Sequence, residues 1–266
     1  MPVSKLKNIA ILILLVADLL LLAFLVPNRM REETRAQEMK ASLSRLYEDR
    51  GITLNAGDIP ETRTLYALQL TDNTSAQVQA ATALLGAQPI AEPDPAGWLH
   101  RFTAEGGSCS FGRESLVEAR LEGIDKPAQT VLEDMGITWT GLRRDGETVA
   151  VTQTVMDVPI FSDGLTLTYT DGLLTAVDGV FFCGVQSPVR ISQEPCMSAA
   201  DALVLFLDRR FDLGWVGSCV KTLEQGYMQR DTASAASVQL TPVWELTTDT
   251  GSFYLDGLTG EIWSIS

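Results

Sequence analysis

Histidine is nearly absent from this chain: His100 is the single one in 266 residues. Imidazole-based zinc sites and nucleophiles relayed through histidine need more of them. Basic residues are also scarce, with 20 Lys and Arg against 34 Asp and Glu and a formal charge of −14. Binding a nucleic acid needs clustered cations to release the counterions of phosphates, so no nucleic-acid partner is expected. Catalytic motifs are missing too. There is no Walker loop, no G-x-G-x-x-G and no H-E-x-x-H. The string nearest a nucleophile elbow, Gly106-Gly107-Ser108-Cys109-Ser110, lacks its closing glycine. A Cys109–His100 pair has only sequence proximity in its favour. The chain therefore reads as a non-enzyme, with no catalytic residue, no metal ligands and no cofactor.

What the chain has first is an apolar run. Residues 9–26 contain one polar side chain, Asp18. As a helix they would extend roughly 27 Å, close to the thickness of a bilayer's hydrocarbon. Their transfer energy outweighs the cost of about 3 kcal/mol for one central acid. The exit, Phe24-Leu25-Val26-Pro27-Asn28, offers no small-residue cleavage site, which argues against a signal peptide. The expectation is a single transmembrane helix in the lipid bilayer, with residues 1–8 cytoplasmic and the C-terminal bulk outside. Lys5 and Lys7 precede the run and Arg29, Arg31 and Arg35 follow it, so charge alone does not orient it. An acid at mid-membrane depth is a candidate contact. Asp18 shares a helical face with Ile11, Leu14, Leu15, Leu21, Leu22 and Leu25, and this face is the expected surface for a partner's transmembrane helix.

Beyond the run the patterning implies an α+β ectodomain of antiparallel sheets, each packed with helices. A juxtamembrane helix is expected over 27–50, followed by three helix-plus-hairpin units at 51–122, 123–192 and 193–266. Helices are signalled by a Thr74 or Ser75 cap with Gly86 as stop, by Pro127 with Gly136, and by Ser198 with Asp201 three residues on. Strands are expected at 98–104, 107–111, 137–142, 148–154, 164–170, 173–177, 215–221, 238–247, 251–255 and 261–265. Asp-Gly pairs at 145–146, 163–164, 171–172 and 178–179 read as turn formers, and their spacing does not fit a calcium loop. Of the four cysteines, Cys183 and Cys196 flank a segment with two prolines and are the pair to expect if a disulfide forms. Buried free thiols are the preferred reading, because a chain this long needs no staple.

The two ends carry a resemblance. A short amino tail, one apolar span broken by a polar residue and a juxtamembrane helix resemble the YycI/YycH family of two-component-system regulators. So do Glu224-Gln225-Gly226-Tyr227, Pro242-Val243-Trp244 and the closing run Phe253-Tyr254-Leu255-Asp256-Gly257-Leu258-Thr259-Gly260-Glu261. That tail is also similar to PepSY-type modules, whose last hairpin often ends in a Thr-Gly-Glu turn. The resemblance implies a membrane protein with extracytoplasmic α+β units. It also implies contact with a membrane sensor histidine kinase of the WalK type and a YycH-like companion. The alternative from the same residues is a PepSY-like surface module that binds or inhibits a peptidase or wall-associated ligand, with the span as a tether.

Overall fold

The computed structural model describes residues 34–71, 73–86, 88–92, 99–112, 116–162, 164–182, 185–230 and 237–264. Side-chain alternation builds most of its strands. In Leu116–Ile124, Val117, Ala119 and Leu121 are buried while Leu116, Glu118 and Arg120 face water, the period of a sheet with one covered face. In chain order the elements are α1 (34–48), β1 (Leu68–Thr71), α2 (Thr74–Leu85), β2 (Ile90–Glu92), β3 (His100–Ala104), β4 (Gly107–Phe111) and β5 (Leu116–Ile124). Then follow α3 (Ala128–Met135), β6 (Trp139–Asp145), β7 (Thr148–Val155), β8 (Val158–Pro159), β9 (Leu165–Thr170), β10 (Leu173–Val180) and β11 (Val189–Arg190). The chain finishes with α4 (Ala199–Arg209), β12 (Val220–Arg230), β13 (Ser237–Thr248), β14 (Ser252–Asp256) and β15 (Ile262–Ser264).

The strands form two sheets. A nine-stranded sheet runs β2-β3-β4-β5-β10-β9-β7-β6, with β8 on the end of β7. A six-stranded sheet runs β11-β1-β13-β14-β15, with β12 on the other edge of β13. β1 therefore joins strands of the last quarter of the chain, and everything from α2 to β10 lies between two strands of one sheet. The spans 51–122, 123–192 and 193–266 do not coincide with these sheets.

Each sheet has its own core. α2 and α3 cover the nine-stranded sheet through Ala80, Leu84, Val131, Leu132 and Met135, against Phe102, Phe111, Leu167 and Val177. α1 and α4 cover the six-stranded sheet through Leu43, Tyr47, Leu203 and Phe206, against Trp244, Leu246 and Leu255. The Tyr47 hydroxyl donates to the Leu203 carbonyl at 2.7 Å and ties α1 to α4. β7 joins the cores: Val149 and Val151 lie in one, Val155 in the other. Gln153 sits between them, buried, its amide donating to the Val180 carbonyl (2.6 Å) and accepting from the Phe182 amide (3.2 Å).

The helix ends follow capping chemistry. Asn73, not Thr74 or Ser75, caps α2 by accepting from the Ser75 and Ala76 amides, because a short side-chain carbonyl reaches both. Ser198 caps α4 and accepts from the Asp201 amide. Asp171-Gly172 makes the β9–β10 turn with both residues at positive φ (53° and 84°). Asp178-Gly179, expected as a turn, lies inside β10 instead. There Asp178 pairs with Arg120 at 2.7 Å, and a Cβ on Gly179 would lie 2.2 Å from the Gly164 carbonyl oxygen.

The expected fold class needs correction. The chain is mostly antiparallel sheet, 44% strand, with short helices. Among the described residues no helix is long and apolar enough to cross a membrane. The reason is local: each described helix has one face against a sheet and one in water, so its apolar residues form a stripe rather than a continuous cylinder. Eleven residues of α4 span only about 16 Å. The run 9–26, with Asp18 and its neighbours, lies outside the described residues.

Candidate functional site

A proline in a central strand locates the site. Proline cannot donate to a ladder, so it sits where no bond is required. Pro242 lies in β13, whose one edge pairs with β1 through residues 237–240 and with β14 through 243–247. Its missing N–H falls at the handover between those two partners, while its carbonyl accepts from the Gly257 amide at 2.8 Å. Toward β12, Pro242 pairs with Tyr227, and such a pair exchanges no backbone bonds. The backbone groups of Tyr227 therefore point outward, and by alternation so do those of Gln225, Leu223 and Gln229.

That outer edge is closed at its two ends. The Tyr227 carbonyl accepts from the Phe161 amide (2.8 Å), and the Gln229 amide donates to Ser162 Oγ (2.6 Å). At the other end the Val220 amide donates to the Thr53 carbonyl (3.0 Å) and the Thr53 amide to the Ser218 carbonyl (2.8 Å). Between them, the amides and carbonyls of Leu223 and Gln225 have no partner among the described residues.

An open cleft of about 560 Å³ lies over this stretch. One wall is β12 and β13 with Glu224 and Glu245; the opposite wall comes from the nine-stranded sheet with Thr140 and Thr152. The chain at 60–63 closes one side. Its Arg63 amide donates to Gln225 Oε1 (2.8 Å), and Gln225 Nε2 returns a bond to the Arg63 carbonyl (3.0 Å). Arg63 Nη1 reaches the Asp157 carbonyl at 3.0 Å. Asp157 belongs to the two-residue turn joining β7 to β8. Met156 and Asp157 both hold positive φ there, 50° and 60°, without a glycine. For methionine this is a costly backbone state, of order 1–2 kcal/mol, and such outliers concentrate at functional positions. Met156 is also 56% exposed.

The electrostatics are one-sided. Glu61, Asp157, Glu224 and Glu245 line the cleft with Arg63. None of these acids forms an ion pair among the described residues. Glu224 and Glu245 are cross-strand partners. Burial, then the neighbouring Glu224 charge, holds the Glu245 carboxyl above its ordinary value, while the hydrogen bond from the Tyr254 hydroxyl (2.9 Å) pulls it back. Tyr254 rises in turn, through burial and the Glu245 carboxylate. Phe161 stands over Gly226, where a Cβ would meet its ring at 2.3 Å, and packs on Tyr254 with centroids 6.0 Å apart.

The site draws in Glu224, Gln225, Gly226, Tyr227, Pro242 and Tyr254 from the stretches that carry the resemblance, but none of the candidate contact, disulfide or nucleophile residues named from the sequence. Asp18, Ile11, Leu14, Leu15, Leu21, Leu22, Leu25 and Cys183 lie outside the described residues. Cys196 is a free, buried thiol against Gly257, and burial pushes it up to about 11. Cys109 is likewise buried and free, pushed up to about 12, and His100 meets Gln77 Oε1 at 2.6 Å. Among the described residues no three His, Cys, Asp or Glu side chains gather as metal ligands.

No family model and no curated protein matches this chain. Among solved structures, the crystal structure of an uncharacterized protein from Eubacterium rectale ATCC 33656 is similar, with a TM-score of 0.46 at 10% sequence identity, over 77% of this chain and 86% of that one.

Proposed function

We propose that this chain is a non-catalytic contact module that regulates a membrane sensor histidine kinase of the WalK type, together with a YycH-like companion. The observation that supports a contact role is the cleft: a stretch of sheet edge left open, acids without counter-ions and a strained hairpin tip converge on one surface. These features suit recognition of another polypeptide better than bond-making chemistry, since no nucleophile–base pair lines the space. The kinase assignment rests on the resemblance of the two ends of the sequence. The corresponding location, the outer face of the cell membrane, rests on the residue 9–26 run alone.

Regulation by contact requires the module to bind one kinase state better than another. A coupling of 1–3 kcal/mol changes output roughly 5–150-fold. The test reconstitutes the kinase in proteoliposomes with and without the full chain and follows autophosphorylation. A change in that range, with co-purification of the two proteins, is expected. An unchanged rate and no co-purification would eliminate the kinase as partner.

A further inference from the structure

We infer that the cleft receives a short, extended, cationic polypeptide segment, which adds to β12 at Leu223–Gln225 and places a lysine or arginine beside Glu224 and Glu245. The inference deepens the contact reading above and rests on it for the source of the segment. Three observations carry it. Among the described residues the amides and carbonyls of Leu223 and Gln225 have no partner, with Phe161 and Ser162 closing one end of this stretch and Thr53 the other, so two amides and two carbonyls remain for an added strand. The cleft volume of about 560 Å³ falls within the roughly 300–1,000 Å³ of ordinary ligand sites. The lining is acidic, and its one base, Arg63, is engaged by the Asp157 carbonyl.

The same observations argue against other occupants. A second copy pairing edge to edge through a two-fold axis would bring Glu224 near its own counterpart and add like charges to an acidic surface. A bare metal cation would leave the amides of Leu223 and Gln225 unsatisfied. An acidic peptide would meet uncompensated carboxylates. A cation, by contrast, compensates both carboxylates, so binding should weaken as the solution is acidified and the acids are protonated.

The test uses the full-length chain in detergent micelles and the capped peptide Thr-Val-Lys-Val-Thr. Controls are the Thr-Val-Glu-Val-Thr peptide and a lysine peptide N-methylated on alternate amides. The lysine peptide should bind at least about tenfold tighter than either control, with affinity falling as salt rises. The double variant E224Q/E245Q, whose folding is checked by circular dichroism, should lose about tenfold. Amide exchange should slow at Leu223 and Gln225 on binding. Equal affinity for the N-methylated or glutamate peptide would overturn the inference. So would absent binding, protection elsewhere in the chain, or dimers joined through this edge. Peptide binding that persists when the kinase fails to co-purify removes the kinase and leaves the cleft assignment standing. Co-purification without peptide binding does the reverse.

Discussion

Glu224 and Glu245 oppose each other across β12 and β13, and neither forms an ion pair among the described residues. Their Cβ atoms are about 5.5 Å apart at such a pair, and like charges so placed cost roughly 0.2–1 kcal/mol. The carboxyl of Glu245 is raised above 4.5 in the fold, chiefly by burial. A raised acid favours folding while protonated. Its contribution is complete below its unfolded value and is lost as the pH climbs through the folded one. Glu245→Gln should therefore gain up to about 1 kcal/mol over the parent at pH 7 and almost nothing at pH 4. Urea midpoints at the two pH values measure this; equal gains at both would remove the charge explanation.

The β7–β8 turn should be improvable. Asparagine tolerates positive φ where methionine does not. Met156→Asn is expected to raise stability by about 0.5–1 kcal/mol, read as an increase in the thermal midpoint. If the exposed Met156 side chain contacts the partner, the same variant binds it more weakly. A destabilised variant would mean that the turn is not strained.

Gly226 leaves room for Phe161. Gly226→Ala places a methyl 2.3 Å from that ring and should destabilise by about 1–3 kcal/mol. Adding Phe161→Ala removes the clash, so the double variant should be more stable than the sum of the two single effects. A double-mutant cycle that proves additive would show that the two residues do not meet.

Tyr47 holds α1 to the six-stranded core. Tyr47→Phe deletes the bond to the Leu203 carbonyl at little cost in volume and should lose about 1 kcal/mol. Faster amide exchange is expected in residues 34–48, with α2 and α3 unchanged. Uniform acceleration across the chain would contradict a local role.

Thiol reactivity should divide by burial. Cys196, raised to about 11, has roughly one thiolate in a thousand at pH 8, and Cys109 at about 12 has fewer. Cys219 is only half-buried. Alkylation of the native chain, followed residue by residue by mass spectrometry, should modify Cys219 long before the other two. Rapid labelling of Cys109 would show that the nine-stranded core opens readily.

Period-two alternation made β4, β7, β9 and β13 readable, because along most of each strand fully buried residues alternate with partly exposed ones. Glycine stops and small polar caps marked α2, α3 and α4 to within a residue or two. β12 was not readable. Its Lys221–Arg230 stretch is broken by Gly226, and that glycine is there for a ring contributed by a distant loop. β2 was hidden in a proline-rich stretch, and all three of its residues are exposed. The cleft was illegible for the same reason. Glu224 and Glu245 are related only by a hairpin register, and no glycine at 156–157 announces two left-handed dihedrals. Fixed offsets in the sequence report local geometry; this site is assembled by pairing between distant segments.

The pairing of β1 with β13 has a kinetic consequence. Everything from α2 to β10 must be accommodated before Leu68–Thr71 can register with Ser237–Leu240, so the six-stranded sheet is completed only across a very long closed loop. The intervening nine-stranded body is built mainly from neighbouring hairpins. It should collapse early and draw the outer strands together, leaving the last seam to close slowly. A ribosome-bound chain cut short before residue 237 would hold a finished inner body beside a β1 paired only with the two-residue β11.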